Sequence, residues 1–554
     1  MPGAAARIFR SLAAILVAIS TGLVWGLALP AAASASHSQI SIIQDDPPLQ
    51  ADPARTLAEF RALGATTVRV IIHWSLIAPK PTSNKMPAGF DATDPNAYPA
   101  SGWAPYDRIV REAAADGIAV DLTIAGGAPR WAQGAHIPRP GKSLFFAWKP
   151  NASMYGEFVQ AVGERYDGLF TPPRRKAPLP AVHFWALWNE PNFGEDLAPQ
   201  AIRGSRISVA PMMYRQLVDA GFGALAETGH GHDTIVIGEL AAHGLSGRPT
   251  KAHPGGLPGD YSISKPLSFV RTMYCLNSRY RPLRGVYARA RGCPTTAAGS
   301  RRFRTRNTGL FEATGVGDHP YQGGQAPIGN RKQIDSNAAG FPQLARFGKL
   351  LDKVNRAYGS RARYPIYNDE FGYITRPPSG PRHVTPATAA YYLNWSEYVS
   401  WKNPRVASYA QYLLDDPLPI DGSAGFASGL LTSTGVPKAT YAAYRLPLYL
   451  PLTSLASNRA AEVWGCARPA HFMELDTDLP QTVAIEFQPH GRGPFETLAA
   501  VAASSVNGYF DAHVRFPTSG LVRLAYTFPG TDPLLPPGFE GTTIHSRVVK
   551  VHIR

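Results

Sequence analysis

The chain has 554 residues, of which 55 are Lys or Arg and 40 are Asp or Glu, so its formal net charge is +15. Hydrophobic residues make up 44% and charged residues only 17%, which permits a large core and excludes a globally disordered chain or a coiled coil. Gly and Pro together form about a fifth of the sequence, below the roughly 25–30% of low-complexity chains.

The first 35 residues follow the pattern of a secretory signal peptide. Arg7 and Arg10 precede an uncharged, mostly apolar run from Leu12 to Leu29, and the small residues Ala31–Ser36 come next. A run of small residues is what signal peptidase needs, although 18 residues also approach the lower limit for an uncleaved membrane anchor. We expect cleavage of residues 1–35, which leaves a secreted or envelope-associated bacterial protein without membrane contact.

The three cysteines are Cys275, Cys293 and Cys466. Cys275 and Cys293 lie 18 residues apart and could close a loop by a disulfide in an exported protein. Cys466 is expected to be a buried thiol. Neither a Cys-x-x-Cys pair nor a His/Cys ligand spacing occurs, so we expect no structural metal and no other cofactor.

Short apolar runs alternate with helical patterns from residue 36 to residue 450. The predicted strands are Ile40–Gln44, Thr67–His73, Ile118–Ile124, Val182–Trp188, Thr234–Leu240, Gly315–His319, Tyr364–Asn368 and Val406–Leu413. This alternation predicts a parallel sheet, and eight repeats predict a (β/α)8 TIM barrel. A doubly wound open sheet is the alternative, although no Gly-x-Gly-x-x-Gly turn follows the first strand.

The pattern of apolar and polar residues changes after Pro447 and Pro451. Residues 451–554 contain short alternating runs punctuated by Gly and Pro, with no competing helical pattern. The predicted strands are Thr482–Phe487, His513–Phe516, Leu521–Thr527 and Val548–Ile553. This pattern indicates a small antiparallel β-sandwich after the barrel.

Two predicted barrel strands each lead directly into a carboxylate. Glu190 follows the fourth strand and Glu370 follows the seventh. Strands four and seven lie across the barrel from each other, and the C-terminal ends of barrel strands carry the chemistry of this fold. A pair of carboxylates is what glycosidic bond cleavage requires, with one protonated and the other ionised.

The residues around these glutamates resemble a known group. Trp188-Asn189-Glu190-Pro191 is similar to the Asn-Glu-Pro motif of the clan A retaining glycoside hydrolases, and the details are closest to the cellulase-like family 5 and the xylosidase-like family 39. The resemblance implies a (β/α)8 barrel and cleavage of O-glycosidic bonds by double displacement. It implies that Glu190 is the acid/base and Glu370 the nucleophile.

The resemblance extends to residues on other strands. It implies that Arg69 supports the nucleophile and that His319 and Tyr321 contact the nucleophile and the sugar. Clan members usually end strand eight with a tryptophan, but this chain has Tyr409-Ala410-Gln411-Tyr412 there, so Gln411 is the substrate-binding candidate on that strand.

Several other residues have both a functional and a structural interpretation. His73 and Trp74 either line the sugar pocket or pack under a loop, and Trp131 and Trp188 either stack on sugars or belong to the core. Asn189 is expected to donate to a sugar hydroxyl.

Two further carboxylates lie near the predicted catalytic pair in the sequence. Asp369 should point away from Glu370 because side chains alternate along a strand. Glu239, at the end of the fifth strand, is a rival carboxylate with a sugar-binding or structural role.

Residues 265–306 contain eleven Lys or Arg and no Asp or Glu. They form either a solvated, disulfide-pinned loop or a basic rim beside the active site that attracts anionic glycans. The expected partner is an oligo- or polysaccharide, possibly anionic, and no nucleic-acid recognition motif occurs. The sequence does not predict an oligomeric state.

Two other functions compete with glycoside hydrolysis. One is a non-catalytic carbohydrate-binding protein on a barrel scaffold, against which the presence of both glutamates argues. The other is a metal-dependent barrel hydrolase, for which the strand ends offer His73 and His319 but no adjacent ligand set.

Overall fold

A computed structural model describes residues 36, 38–138, 146–202, 207–328, 335–418, 425–503, 507–530 and 538–554. The predicted signal peptide, residues 1–35, lies outside the described residues. Among the helices that are described, none is both long and apolar enough to cross a bilayer.

Eight parallel strands close into a barrel in the order of the sequence, with β1 hydrogen-bonded to both β2 and β8. The strands are β1 (Ile40–Gln44), β2 (Thr67–His73), β3 (Ala119–Ala125), β4 (Phe184–Leu187), β5 (Thr234–Ala241), β6 (Gly315–His319), β7 (Ile366–Asn368) and β8 (Val406–Tyr412). This closure confirms the predicted TIM barrel and excludes the open sheet.

Helices surround the barrel and fill the connections between its strands. They are α1 (Asp46–Ala51), α2 (Pro53–Ala62), α3 (Trp74–Ile77), α4 (Ala100–Ala115), α5 (Ala152–Arg165), α6 (Ala210–Glu227), α7 (Pro266–Met273), α8 (Gly285–Arg289), α9 (Ala297–Arg301), α10 (Phe303–Arg306), α11 (Thr308–Glu312), α12 (Leu344–Arg356), α13 (Pro386–Trp401) and α14 (Ala439–Arg445). Five of these helices lie between β5 and β6, which makes that connection the longest.

Strand β2 shows why these sequences form two-faced strands. Val68, Val70 and Ile72 are fully buried among the apolar side chains of the core. Arg69 lies between them in the sequence, and its side chain enters the barrel interior, where it meets residues from β5 and the loop after β7. Burying each apolar side chain contributes about 1.5–3 kcal/mol, so the alternation fixes which residues of the strand face the interior.

The C-terminal part of the chain forms two sheets that pack face to face. Its strands are β9 (Leu448–Tyr449), β10 (Ser454–Leu455), β11 (Ala461–Cys466), β12 (Thr482–Pro489), β13 (Glu496–Ala502), β14 (Tyr509–Val514), β15 (Gly520–Thr527), β16 (Thr543–His545) and β17 (Val549–Ile553). One sheet has six strands and the other has β14, β11 and β9, and the pairing is antiparallel except between β10 and β17. A Cβ atom at Gly465 would lie 2.9 Å from the Leu524 side chain, so the two sheets are in close contact.

The expectation that this region contains no helix is wrong. Helix α15 (Ala470–Thr477) follows β11 and buries Phe472 and Met473. Arg61 of α2 lies over the Phe472 ring at 4.2 Å and forms an ion pair with Asp476. These contacts with the barrel stabilise a helix that local periodicity does not reveal.

A buried ion pair joins the barrel to the C-terminal sheets. Arg468 donates to Glu397 of α13 at 2.5 Å, and both side chains are almost completely buried. Beside them, Trp401 of α13 packs against Trp464 of β11. These contacts make the C-terminal sheets a brace for the barrel.

The structure joins Cys275 and Cys293 by a disulfide, with their Cα atoms 5.6 Å apart. The thiol of Cys466 is free and buried. Burial raises the pKa of this thiol well above its usual value, so it stays protonated and unreactive.

Candidate active site

The two predicted catalytic glutamates come together at one end of the barrel, which we call the mouth. Glu190 lies just past β4 and Glu370 just past β7. One carboxylate oxygen of each glutamate and one ring nitrogen of His319 lie within 4.8 Å of one another. The arrangement brings two acidic groups close enough to act on one ligand.

Glu370 is held by two donors. Arg69 Nη1 donates to its Oε2 at 2.9 Å, and the Tyr321 hydroxyl donates to its Oε1 at 2.9 Å. Burial alone would raise the pKa of Glu370, but the charges of His319 and Arg69 and these hydrogen bonds outweigh it, so the pKa is lowered. Glu370 is therefore a carboxylate at neutral pH.

Arg69 is the buried cation of the site. Its side chain has no exposed surface and donates to Glu239 Oε2 at 2.7 Å, to Asn189 Oδ1 at 2.8 Å and to Gln44. Burial disfavours its charge, but the carboxylates of Glu239 and Glu370 reverse this and raise the pKa of Arg69 well above its usual value. The guanidinium therefore remains charged and fixes the orientation of Glu370.

His319 connects the acid/base candidate to the barrel interior. Its Nδ1 lies 2.9 Å from Glu190 Oε1 and 3.8 Å from Glu370 Oε2, and its Nε2 lies 3.4 Å from Asp369 Oδ1. Burial would lower the pKa of His319, but the carboxylates of Glu370 and Glu190 outweigh it and raise the pKa. The hydrogen bond of His319 is thus to Glu190, and His319 also lies within ion-pair distance of Glu370, the nucleophile that the family resemblance implied it contacts.

Below these residues, the barrel interior contains more acidic side chains than the sequence analysis predicted. Asp369 points into the interior, where a Cβ atom at Gly317 would lie 2.4 Å from its Oδ2. Burial, Glu239 and Asp121 raise the pKa of Asp369 well above its usual value. Asp121 is fully buried as well, and burial and Glu239 raise its pKa. Sequence reasoning missed Asp121, although its position in an apolar strand is a signal that could have revealed it.

Asn189 and Glu239 both act on Arg69. Asn189 accepts from Arg69 and donates from Nδ2 to Asp196 Oδ1 at 3.2 Å. Glu239 is fully buried, accepts from Arg69 and also accepts from the Thr123 hydroxyl at 3.1 Å. Glu239 is therefore a structural residue of the barrel interior and does not line the mouth.

The tryptophans that were candidate sugar platforms belong to the core. Trp74 has no exposed surface and stacks on Phe158 with ring centroids 5.6 Å apart. Trp188 is 1% exposed, and its ring lies 5.3 Å from that of Tyr155. Trp131 packs edge-on against Trp74 and is 8% exposed. Neither Trp74 nor Trp188 presents a ring face to a sugar, because both side chains are almost completely buried.

His73 and Gln411 also have defined surroundings. His73 ends β2, where a Cβ atom at Gly126 would lie 2.4 Å from its Nδ1, so the close contact requires glycine there. Burial lowers the pKa of His73, which the Asp46 carboxylate partly offsets, so His73 is neutral above mildly acidic pH. Gln411 is 1% exposed and donates to the carbonyls of Leu413 and Ser428, so it faces away from the mouth.

The residue after Gln411 takes the position that was expected for Gln411. Tyr412 lies on the opposite face of β8, partly exposed, with its ring 5.5 Å from that of Phe426. Phe426 in turn packs against Tyr321 at 5.2 Å. These three rings form an aromatic wall beside Glu370. Alternation along β8 was the signal that could have selected Tyr412 in place of its neighbour.

Glu190, His319 and Glu370 also have the spacing of a potential metal site. Their atoms are already engaged with one another and with Arg69, whose guanidinium contacts Glu370 directly. A cation at this point would be repelled by that guanidinium, so we assign the three residues to a hydrogen-bonded set.

Most of the arginines of residues 265–306 lie away from the mouth. Tyr274 and Tyr364, the latter just before β7, both donate to the carbonyl of Leu310, which lies in α11 just before β6. Phe303 of α10 packs against Phe311 of α11 with ring centroids 6.2 Å apart. Residues 274–306 therefore pack near the N-terminal ends of β6 and β7, whereas Glu190 and Glu370 lie past the C-terminal ends of their strands. The start of the stretch contacts the connection that follows the C-terminal end of β6: Lys265 pairs with Asp335 and Arg271 donates to Asn337.

No known protein-family profile matches this chain, and no curated protein matches its sequence. Among solved structures, it is similar to a family 39 glycoside hydrolase from the gut symbiont Bacteroides cellulosilyticus WH2, at 14% identity over 87% of this chain and 79% of the other, with a TM-score of 0.45. It is also similar to a family 1 β-glucosidase from Thermotoga maritima in complex with isofagomine lactam, at 16% identity over 72% and 85%, with a TM-score of 0.43. The fold assignment rests on the strand order of the barrel, and the chemistry proposed below rests on the geometry of the mouth.

Proposed function

We propose that this protein is a secreted glycoside hydrolase that cleaves O-glycosidic bonds with retention of configuration. The observation that carries the proposal is the pairing of Glu190 and Glu370 across the mouth, with oxygens within 4.8 Å of each other. Retaining enzymes hold their carboxyl groups about 5–5.5 Å apart, whereas inverting enzymes need roughly 6.5–9.5 Å to admit a water. The short spacing favours direct attack by one carboxylate.

In the first step, a Glu370 oxygen attacks the anomeric carbon while Glu190 gives its proton to the departing glycosidic oxygen. The lowered pKa of Glu370, which follows from His319, Arg69 and Tyr321 acting against burial, keeps the attacking group ionised. Arg69 and Tyr321 bind both Glu370 oxygens and hold the carboxylate in one orientation. The products are a covalent glycosyl-enzyme and the released alcohol.

In the second step, Glu190 accepts a proton from water, and the water oxygen attacks the anomeric carbon. The bond to Glu370 breaks and its carboxylate returns. His319 Nδ1 lies 2.9 Å from Glu190 Oε1 and orients the carboxyl group that gives and regains the proton. Two inversions at the same carbon give retention.

The experiment that tests the proposal compares Glu370→Gln and Glu190→Gln with the intact protein on aryl glycosides. Glu370→Gln should lower kcat by several orders of magnitude on every substrate. Glu190→Gln should lower kcat strongly for poor leaving groups and little for activated ones, because an activated group leaves without a proton. Added azide should restore turnover in Glu190→Gln and yield a glycosyl azide.

The matched control is Glu227→Gln, which changes an exposed glutamate at the end of α6 and should keep full activity. Binding of glycans without turnover by the intact protein, across a broad glycan panel, would instead support the non-catalytic carbohydrate-binding alternative. The panel should include neutral and anionic oligosaccharides, because the proposed substrate class covers both. Equal activity of Glu370→Gln and the intact protein would refute the proposed nucleophile.

We propose further that the protein is exported and loses its first 33 or 35 residues. The support is the sequence pattern of the two arginines, the apolar run and the small residues that follow it. N-terminal sequencing of the protein recovered from a bacterial culture medium or envelope fraction tests this. A mature chain that still begins at residue 1 or 2 would contradict cleavage.

A further inference from the structure

The connection between α7 and α11 presents a strongly cationic surface. Its exposed arginines, which we call the basic face, are Arg279, Arg281, Arg284, Arg289, Arg301, Arg302, Arg304 and Arg306. Within the described chain, none of these arginines forms an ion pair with an Asp or Glu, and residues 265–306 contain no acid at all. A concentration of unneutralised guanidinium groups of this kind attracts a polyanion or an anionic surface.

Neighbouring elements extend the basic face. Phe303 of α10 stacks on Tyr358 with ring centroids 4.7 Å apart, and Lys353 of α12 lies 4.9 Å from the Tyr280 ring centroid. Lys353 is exposed, as are the cations Arg356, Arg361 and Arg363. The nearby acid Asp352 is held by Arg405 at 2.9 Å and so neutralises little of this charge.

Two exposed apolar side chains lie within the basic face. Val286 is 72% exposed and Tyr287 is 70% exposed, and both lie on α8 between Arg284 and Arg289. An isolated exposed apolar residue is ordinary, but an adjacent aliphatic and aromatic pair flanked by arginines is the composition of interfacial membrane segments.

Helix α8 is fixed firmly enough to present this pair. The Cys275–Cys293 disulfide closes the chain around it, and Ala288 on its inner side is fully buried. Arg215 of α6 donates to the carbonyls of Met273 and Gly292, on either side of the disulfide loop. Val286 and Tyr287 are therefore held outward by the fold and do not need to be ordered by a ligand.

The position of the basic face suits docking with the mouth free. The segment that carries the basic face packs on α11, where the Phe303 ring lies 6.2 Å from that of Phe311 and Tyr274 donates to the carbonyl of Leu310, near the N-terminal ends of β6 and β7. The catalytic candidates Glu190 and Glu370 lie past the opposite ends of their strands. A surface bound to the basic face would leave the mouth open to a substrate from the other side.

We propose that the basic face, together with Val286 and Tyr287, docks this protein on an anionic lipid bilayer. The guanidinium groups bind lipid phosphates, and the apolar pair enters the layer directly beneath those phosphates. A soluble polyanion would contact the arginines but leave Val286 and Tyr287 in water, whereas a bilayer satisfies both. This replaces the expectation that the protein has no membrane contact after signal cleavage, and it holds whatever reaction the mouth performs.

Vesicle sedimentation of the mature chain, which begins after residue 35, tests the proposal without a contribution from the apolar segment Leu12–Leu29. The probes are vesicles of phosphatidylglycerol mixed with phosphatidylcholine, and vesicles of phosphatidylcholine alone, at about 0.1 M and about 0.5 M NaCl. The intact protein should bind the anionic vesicles more tightly and release them as salt rises. The double substitution Val286→Ser and Tyr287→Ser should lower affinity for anionic vesicles by about tenfold or more. Replacement of Arg301, Arg302 and Arg306 by Gln should weaken binding and flatten its salt dependence.

The matched control is Leu475→Ser, which changes another side chain that is 68% exposed, on α15 of the C-terminal part. It should bind vesicles like the intact protein. Unchanged vesicle binding after the Val286 and Tyr287 substitutions would overturn the proposal. This holds even if soluble polyphosphate competes with the vesicles for the arginines, because that result would show binding of a polyanion and not of a bilayer. Equal binding of the intact protein to neutral and anionic vesicles would overturn it as well.

Discussion

Substitution of Arg69 by Met should move the acidic limb of the pH–activity profile to higher pH. Arg69, whose side chain has no exposed surface, donates one hydrogen bond to Glu370, at 2.9 Å. A charge-assisted hydrogen bond contributes about 1.5–3 kcal/mol, and one pKa unit corresponds to about 1.4 kcal/mol. Loss of this interaction should therefore disfavour the ionised form of Glu370 by about 1.5–3 kcal/mol and raise its pKa, because burial then acts against less compensation.

The same substitution should also destabilise the fold by about 3–5 kcal/mol, since it leaves the buried Glu239 without its cation. The pKa of Glu370 is lowered in the folded state, so its contribution to stability is present above its unfolded pKa and is lost as the pH falls through the folded value. The Arg69→Met variant should lose this part of the acid stability. The measurements are kcat/KM against pH on an aryl glycoside and urea denaturation at several pH values.

The matched control is Arg165→Met, which breaks a buried ion pair with Asp107, at 2.7 Å, on the outside of the barrel. It should lower stability without moving the acidic limb, because Arg165 contacts neither catalytic candidate. Arg69→Lys keeps the charge and provides a variant that retains more stability. A folded Arg69→Met protein whose acidic limb coincides with that of the intact protein would refute the claim that Arg69 keeps Glu370 ionised.

Three further changes test other parts of the structure. His319→Gln removes a group whose pKa is raised by the Glu370 and Glu190 carboxylates against the effect of burial. The stability that the His319 charge contributes is present at low pH and is lost as the pH rises through the pKa of the folded state. The variant should therefore be destabilised most in acid, and thermal melting at several pH values would show this. Gly317→Ala should cost about 1–3 kcal/mol in urea unfolding, because its Cβ atom would lie 2.4 Å from a buried Asp369 oxygen, and an unaltered midpoint would contradict this crowding. Arg468→Met should cost about 3–5 kcal/mol by leaving a buried Glu397 unpaired, and a calorimetric melting temperature equal to that of the intact protein would show that the interdomain pair does not brace the barrel.

The barrel was predictable because its signals are local. Each strand is an apolar run whose burial is favourable wherever it lies in the chain, as Val68, Val70 and Ile72 show for β2. The alternation of side chains along β8 could also have predicted that Tyr412, and not Gln411, lies on the mouth side of that strand. Helix α15 could not be predicted from the sequence, because its stability comes from contacts of Phe472 and Asp476 with Arg61, more than 400 positions away.

The tryptophans show that residue type alone does not predict whether an aromatic ring binds a sugar or belongs to the core. A large aromatic ring suits a sugar platform and a hydrophobic core equally well, and the sequence around Trp74 and Trp188 contains both apolar neighbours and strand ends. Only packing distinguishes the two roles: Phe158 stacks on Trp74, Tyr155 meets Trp188 edge-on, and both tryptophans are almost completely buried.

The amino-acid sequence by itself determined the order of the eight barrel strands, the two glutamates at the ends of strands four and seven, and the cationic stretch before strand six. The tertiary structure decided which groups meet: His319 with Glu190 as well as Glu370, Arg69 with Glu239 as well as Glu370, and the end of the cationic stretch with α11 before strand six. The reason is physical. Periodicity and burial act over a few residues, whereas charge, hydrogen bonding and pKa depend on distances across the barrel, which exist only after it has closed.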